Sequence, residues 1–197
     1  MKTSFLMPSA LLLLLLATGG CSEKKEKKIE TPEAIENIFA RTSVRKYTAQ
    51  AVEKDKVLLL LEAGMSAPSG KDTRPWELLV VNERALLDSL ASALPYTKML
   101  EEAPMAIIVC GDTTKSSYWF LDCSAVAQNI LLAAEALDLG AVWTASFPYG
   151  ERMDAVRRFI TLPDHIQPLC VIPVGYPAVV TTPKKKWDPA KVHTNRW

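Results

Sequence analysis

The chain has 197 residues, 49% hydrophobic and 23% charged, with a formal charge of +1 at pH 7. That balance leaves no electrostatic footprint for nucleic acid, and the length suits one domain with a buried core behind an N-terminal extension. Two histidines and four cysteines without a Cys-x-x-Cys spacing give no metal-ligand pattern, so no metal site is expected.

Residues 1–20 read as a signal peptide. Lys2 is the only charge, Leu11 to Leu16 is an unbroken apolar run, and Ala17-Thr18-Gly19-Gly20 place small residues directly before Cys21. The apolar core is too short for a comfortable membrane span, and a retained anchor helix is the alternative. This lipobox-like arrangement predicts a bacterial lipoprotein acylated on Cys21. Such a protein sits in the cell envelope, facing the periplasm or the surface. Residues 21–30, including Glu23-Lys24-Lys25-Glu26-Lys27-Lys28, can bury almost nothing and read as a charged flexible tether. The folded domain is then 31–197. Removing residues 1–20 takes one lysine away and leaves the mature chain, 21–197, formally neutral.

Helices are expected over 31–41, with Ile35, Ile38 and Phe39 on one face, and over 52–63, with Val57, Leu58 and Leu61 facing the core. Ser66 to Pro75 is a loop marked by prolines and Gly70. Trp76 to Val81 reads as a strand, 83–93 as an amphipathic helix, 98–103 as a short helix closed by Pro104, and 105–110 as a buried strand. The longest helix spans 120–139 and is apolar or small almost all round, with Ala127 and Ala134 among its alanines. A helix without a polar face needs cover on every side, which favours a dimer interface, with a central helix in a monomer as the alternative. Strands over 141–146 and 170–174, with a helix over 154–160 between them, complete the chain. Cys110, Cys123 and Cys170 have apolar neighbours and read as buried thiols.

Arg41, Ser43 and Arg45 alternate along one segment and could converge on an anion, since guanidinium groups give bidentate geometry that an ammonium cannot. By itself that pattern also fits a solvated basic turn. Lys184 and Lys186 could complete such a site from the far end of the chain. Gly64 to Lys71 fails as a P-loop, because the glycines are too far apart and Asp72 stands where Ser or Thr is required. There is no Gly-x-Gly-x-x-Gly and no nucleophile elbow, and His165 has no evident partner. No side chain stands out as a catalytic acid or base.

Taken in order, Arg41-Thr42-Ser43-Val44-Arg45, Ala67-Pro68-Ser69-Gly70-Lys71-Asp72-Thr73-Arg74-Pro75-Trp76, Pro173-Val174-Gly175-Tyr176-Pro177 and Lys184-Lys185-Lys186 resemble the FMN-dependent nitroreductase family, over about 41–197. The resemblance implies an α+β fold with a small mixed β-sheet flanked by helices, in an obligate homodimer. It places Arg41, Thr42, Ser43 and Arg45, with Lys184 and Lys186, on the FMN phosphate. Pro68, Ser69 and Gly70 would lie beside the flavin ring, contributed across the dimer. Thr144, Ala145 and Ser146 would form the turn whose backbone N–H faces the ring, and Lys98 would reach the pyrimidine edge. The chain departs from the family at Asp72 and Arg74, where Asn and Gln are usual. Asp72 could accept a hydrogen bond from the ring or pair with Arg74.

The activity implied is FMN-dependent reduction of nitroaromatic, quinone-like or other small conjugated acceptors by ping-pong transfer. NAD(P)H or, for an exported protein, a quinol or another redox partner would be the donor. A non-catalytic flavin-binding lipoprotein, acting as carrier or sensor, is the alternative, and an interaction module without FMN is a third.

Overall fold

A computed structural model describes residues 30–197. Residues 1–29, with the expected signal peptide, Cys21 and nearly all of the tether, lie outside the described residues. From Thr31 to Trp197 the chain forms one compact unit.

Helix α1 (Glu33–Ala40) and helix α2 (Lys54–Met65) precede strand β1 (Trp76–Val81). Helix α3 (Arg84–Ala93) leads to strand β2 (Met105–Asp112), and the long helix α4 (Trp119–Ala136) follows. The two-residue strands β3 (Gly140–Ala141) and β4 (Thr144–Ala145), helix α5 (Gly150–Phe159) and strand β5 (Ile166–Gly175) complete the layer. The sheet order is β1-β2-β5-β3, with β4 also paired to β5. Every pairing among the described residues is antiparallel, which corrects the mixed sheet expected. The connection through α3 brings β2 back beside β1 in the opposite sense, so the intervening helix makes no parallel crossover.

Strands β2 and β5 are central and buried on both faces, which explains their continuous apolar runs. Alternate residues feed two cores. Ile107, Val109, Cys170 and Ile172 meet α4 and Leu60 of α2 on one face. Ile108, Cys110 and Val171 meet Leu87 and Leu90 of α3 and Val156 of α5 on the other. Where α2 crosses α4, a β-carbon on Gly64 would fall 2.9 Å from Ile130, so only glycine allows that approach.

Three local expectations shift. In α2 the inward positions are Leu60 and Gly64, with Val57 and Leu61 half-buried, while Leu58 is exposed. Four consecutive leucines carry no period, and packing on α4 decides which point inward. In α1 no residue is buried, and Ile38 and Phe39 stand 48% and 67% exposed. A hydrogen bond from Asn37 Nδ2 to the Leu132 carbonyl, 3.0 Å, holds this helix to α4. In α4, Ala127 and Ala134 are fully buried against the chain's own sheet, while Leu121 is exposed. The alanines of the inner face therefore belong to the core and not to an intersubunit surface. The short helix expected over 98–103 is a 3-10 turn, Lys98–Glu101.

Cys110, Cys123 and Cys170 are buried free thiols. Burial pushes Cys110 and Cys123 up to about 12 and Cys170 well above its ordinary value.

Candidate functional site

Helix α1 ends at Arg41, whose N–H donates to the Asn37 carbonyl at 3.1 Å. Val44 points into a small core with Tyr47, Met99, Ala103 and Val142, while Ser43 is half-buried and Arg45 exposed. Three contacts fix the segment. The Val44 N–H donates to the Ala141 carbonyl (3.1 Å), and the Tyr47 hydroxyl lies 2.8 Å from the Val44 carbonyl and 3.2 Å from that of Pro173. Gly140 makes the approach possible: a β-carbon there would lie 2.6 Å from Val44 Cγ1.

The C-terminal segment leaves β5 along the same path. Thr48 N–H donates to the Tyr176 carbonyl and Ala178 N–H to the Lys46 carbonyl, both 2.9 Å. The Lys56 ammonium (3.0 Å) and the Glu53 carboxylate (2.7 Å) both bind the Tyr176 hydroxyl and hold this exit in place. That bond to Tyr176 is the main cause that lowers the Glu53 pKa. Past it, the Thr181 and Thr42 hydroxyls are hydrogen-bonded to each other.

The result is a cleft of about 430 Å3 lined by Arg41, Thr42, Ser43, Arg45, Thr181, Thr182, Lys184 and Lys186. Four cations and four hydroxyls face it, and no carboxylate does. None of the four cations is engaged in an ion pair among the described residues. Like charges converge only where an anion offsets their repulsion, and cations plus hydroxyl donors suit a phosphate group. A neighbouring cavity of about 360 Å3 beyond Thr42 and Thr181 is lined by Glu135 and Asp138, and its charge has the wrong sign for an anion.

Arg45 is also a wall of a second, smaller cleft of about 130 Å3, with Pro95, Tyr96, Val142, Trp143, Thr144, Ala145 and Arg152. The two clefts thus share Arg45 as a wall. The Thr144 hydroxyl is spent on the Val171 carbonyl (2.6 Å) and so is not available to a ligand. Ser146, next in the chain after Ala145, is 1% exposed and its Oγ has no partner among the described residues. Arg152 Nε is likewise buried without a partner. Buried polar atoms are ordinarily satisfied, and the orphaned nitrogen of Arg152, a wall of this cleft, fits the polar edge of a ring ligand.

The remaining expected residues lie elsewhere in the subunit. Pro68, Ser69, Gly70 and Asp72 line neither cleft. Their loop is pinned to the start of α4, where the buried Asp122 carboxylate accepts from Gly70 N–H (2.9 Å) and from the Ser116 hydroxyl (3.1 Å). Lys71, Asp72 and Arg74 have positive φ of 56°, 56° and 47°. Asp72 is held by Arg74 in a bidentate pair, both bonds 2.7 Å, and this partner lowers its pKa. Of the two roles open to Asp72, the structure shows the pairing. Lys98 is exposed on its 3-10 turn and lines neither cleft. Sequence reasoning missed Thr181, Thr182, Tyr96 and Arg152. Nothing in the local pattern marks Arg152, whereas Thr181 and Thr182 directly precede the lysine cluster.

The model of the nitroreductase family matches residues 38–98 and 88–176. A protein of Methanothermobacter thermautotrophicus, named provisionally as an NADH dehydrogenase/NAD(P)H nitroreductase, is 40% identical over 173 residues, covering 86% of this chain and 91% of its own. A crystal structure from Bacteroides thetaiotaomicron with the same provisional name has 61% identity and a TM-score of 0.84, over 85% of this chain and all of the other. A nitroreductase structure from Desulfovibrio desulfuricans in complex with FMN has 28% identity and a TM-score of 0.74, over 85% of this chain and 99% of that one.

Proposed function

The chain belongs to the nitroreductase family, and on that premise we propose that it is an FMN-dependent oxidoreductase whose basic cleft takes the cofactor's phosphate. The observation that carries this reading is the convergence of Arg41, Ser43 and Arg45 with Lys184 and Lys186 on one acid-free cleft, which shares Arg45 with a second. The hydrogen-bonded Thr42 and Thr181 hydroxyls leave one O–H to donate between the cations. Bound FMN would carry electrons from a donor to an acceptor in turn.

The chain's own residues bind, orient and exclude water. Arg41 and Arg45 supply forked donors, while Lys184 and Lys186 supply point charges from the C-terminal segment. Strand β4, through Thr144 and Ala145, forms a wall of the second cleft, and no carboxylate lines it. No acid or base is poised there, so proton delivery falls to water or the substrate. Selection is then by flatness and potential, which suits nitroaromatic, quinone-like or other small conjugated acceptors. NAD(P)H is the donor where it is available, and a quinol or redox partner serves in an exported protein.

The working unit in this reading is a homodimer. Ile38 and Phe39 of α1 and Leu58 and Leu59 of α2 are exposed, and the Pro68–Gly70 loop is built but lies away from its own subunit's clefts. A second copy would cover the first group and receive the second at its ring site. Within the chain, 31–197 is the catalytic domain, 1–20 the signal peptide and 21–30 the tether. Cys21 carries a lipid that holds the protein in the cell envelope.

Anaerobic reduction of the FMN-loaded protein, followed by acceptor addition, tests the activity. Reoxidation that depends on acceptor concentration supports turnover. A holoprotein that no donor and acceptor pair can cycle supports a flavin carrier or sensor instead. Replacing Cys21 with Ser tests the anchor, since release from membranes is expected and unchanged fractionation overturns it.

A further inference from the structure

Arg152 is the one group in the second cleft whose chemistry the reading above leaves unused. It sits in the first turn of α5, half-buried, and its guanidinium lies 3.8 Å from the Tyr149 ring centroid and 5.9 Å from that of Tyr96. One terminal nitrogen donates to the Ala145 carbonyl at 3.3 Å. Nε is buried and has no partner. Among the described residues no carboxylate forms an ion pair with it. A guanidinium with a buried, unsatisfied N–H and no counter-ion is a costly arrangement unless something anionic completes it. Arg45 faces the same cleft, so two fixed cations border a space of about 130 Å3 without an acid.

We propose that Arg152 is a binding residue that selects the reduced over the oxidised cofactor at the ring cleft. This rests on the FMN assignment above. When two electrons and one proton enter the isoalloxazine ring, the ring becomes one unit more negative. The electrons come from the donor that the proposed activity already requires. A fixed cation at the cleft interacts with that added charge and little with the neutral oxidised ring. Between unit charges several ångströms apart at an effective dielectric near 20, the attraction corresponds to tenfold or more in affinity. The tyrosine shelves and the Ala145 carbonyl hold the guanidinium in place before the charge arrives, so little reorganisation accompanies reduction. Phosphate contacts cannot provide this discrimination, because the phosphate is the same in both forms.

The test is anaerobic titration of the full-length apoprotein with oxidised FMN and with dithionite-reduced FMN. Wild type is compared with Arg152→Gln, which keeps a donor for the Ala145 carbonyl, with Arg152→Met, and with Arg152→Lys, which keeps the charge. The expected result is a loss of affinity for reduced FMN at least about tenfold larger than any loss for oxidised FMN in the two neutral variants. That ratio equals a fall of about 30 mV in the two-electron potential of the bound cofactor. The lysine variant should retain most of the preference. Equal losses in both forms would assign Arg152 a purely structural role and overturn the proposal, as would unchanged affinity in both. The ratio is taken within each variant, so partial unfolding cancels. A wild type that binds neither form would instead overturn the FMN assignment itself.

Discussion

Gly140→Ala isolates the link between packing and the phosphate cleft. The backbone at Gly140 does not have positive φ, so alanine is conformationally permitted and only its β-carbon matters. That atom would lie 2.6 Å from Val44 Cγ1, 2.7 Å from its Cβ and 2.9 Å from its Cγ2. Ordinary carbon contacts are about 3.5–4.0 Å, so Val44 must retreat by about 1 Å. It is β-branched, 3% exposed, and tied to Ala141 through its N–H, so rotation cannot relieve the contact. Overpacking of this kind costs about 1–3 kcal/mol. The smaller unfolded-state entropy of alanine offsets about 0.4–1 kcal/mol of that. For a domain of this size the net loss lowers the melting temperature by about 2–8 °C. Val44 lies between Ser43 and Arg45, so the retreat also moves two phosphate donors. Loss of one charge-assisted bond, about 1.5–3 kcal/mol, weakens FMN tenfold or more. The assay is a thermal melt of apoprotein at fixed concentration together with an FMN titration. Val44→Gly in the same chain removes all three contacts, the 2.7 Å one to Cβ included, and should restore part of the affinity. Wild-type melting and affinity in Gly140→Ala would refute the claim that this close approach sets the cleft.

Four other outcomes follow from the same structure. Arg41→Ala removes a forked donor and should weaken FMN by about tenfold or more while the fold, read by circular dichroism, is kept; fluorescence titration of the flavin checks it. Phe39→Glu places a charge on an exposed face and should leave the subunit folded but monomeric and flavin-poor by sedimentation. Ala127→Glu, in the core, should abolish folding outright, at several kcal/mol. Cys110, Cys123 and Cys170 should resist a thiol reagent at pH 8 in a folded Cys21→Ser chain, because burial holds Cys110 and Cys123 near 12. Their neutral form is the stable one in the fold, so this protection should persist until pH approaches the raised values, and all three should react at once in denaturant.

The amphipathic and apolar periods made the strands and helices legible, because two central strands buried on both faces must be continuous apolar runs. The antiparallel sense of the sheet was not legible, since helices between strands also accompany parallel crossovers. The Leu58–Leu61 run carried no period, so the inward face of α2 depended on where Gly64 meets Ile130. Arg41, Ser43 and Arg45 were readable because two arginines flanking a hydroxyl form a pattern within five residues. Their meeting with Lys184 and Lys186 was not a spacing signal at all. It depends on the Tyr47, Thr48 and Tyr176 contacts that lay the C-terminal segment beside the N-terminal one. Arg152 was invisible because a single arginine in a helix gives no pattern. Its significance lies in an unpartnered Nε that only three-dimensional packing creates. Asp72 shows the converse: a departure suggestive of altered flavin chemistry is an exposed loop ion pair with Arg74.

The cofactor is the claim on which the rest stands, and the absorption spectrum of the purified protein, titrated with FMN against free flavin, tests it most directly. The account predicts saturable, stoichiometric uptake with a perturbed flavin spectrum, and competition by inorganic phosphate, which occupies the Arg41–Lys186 cleft alone. A spectrum identical to free FMN at every protein concentration, with no flavin retained on gel filtration, would contradict it.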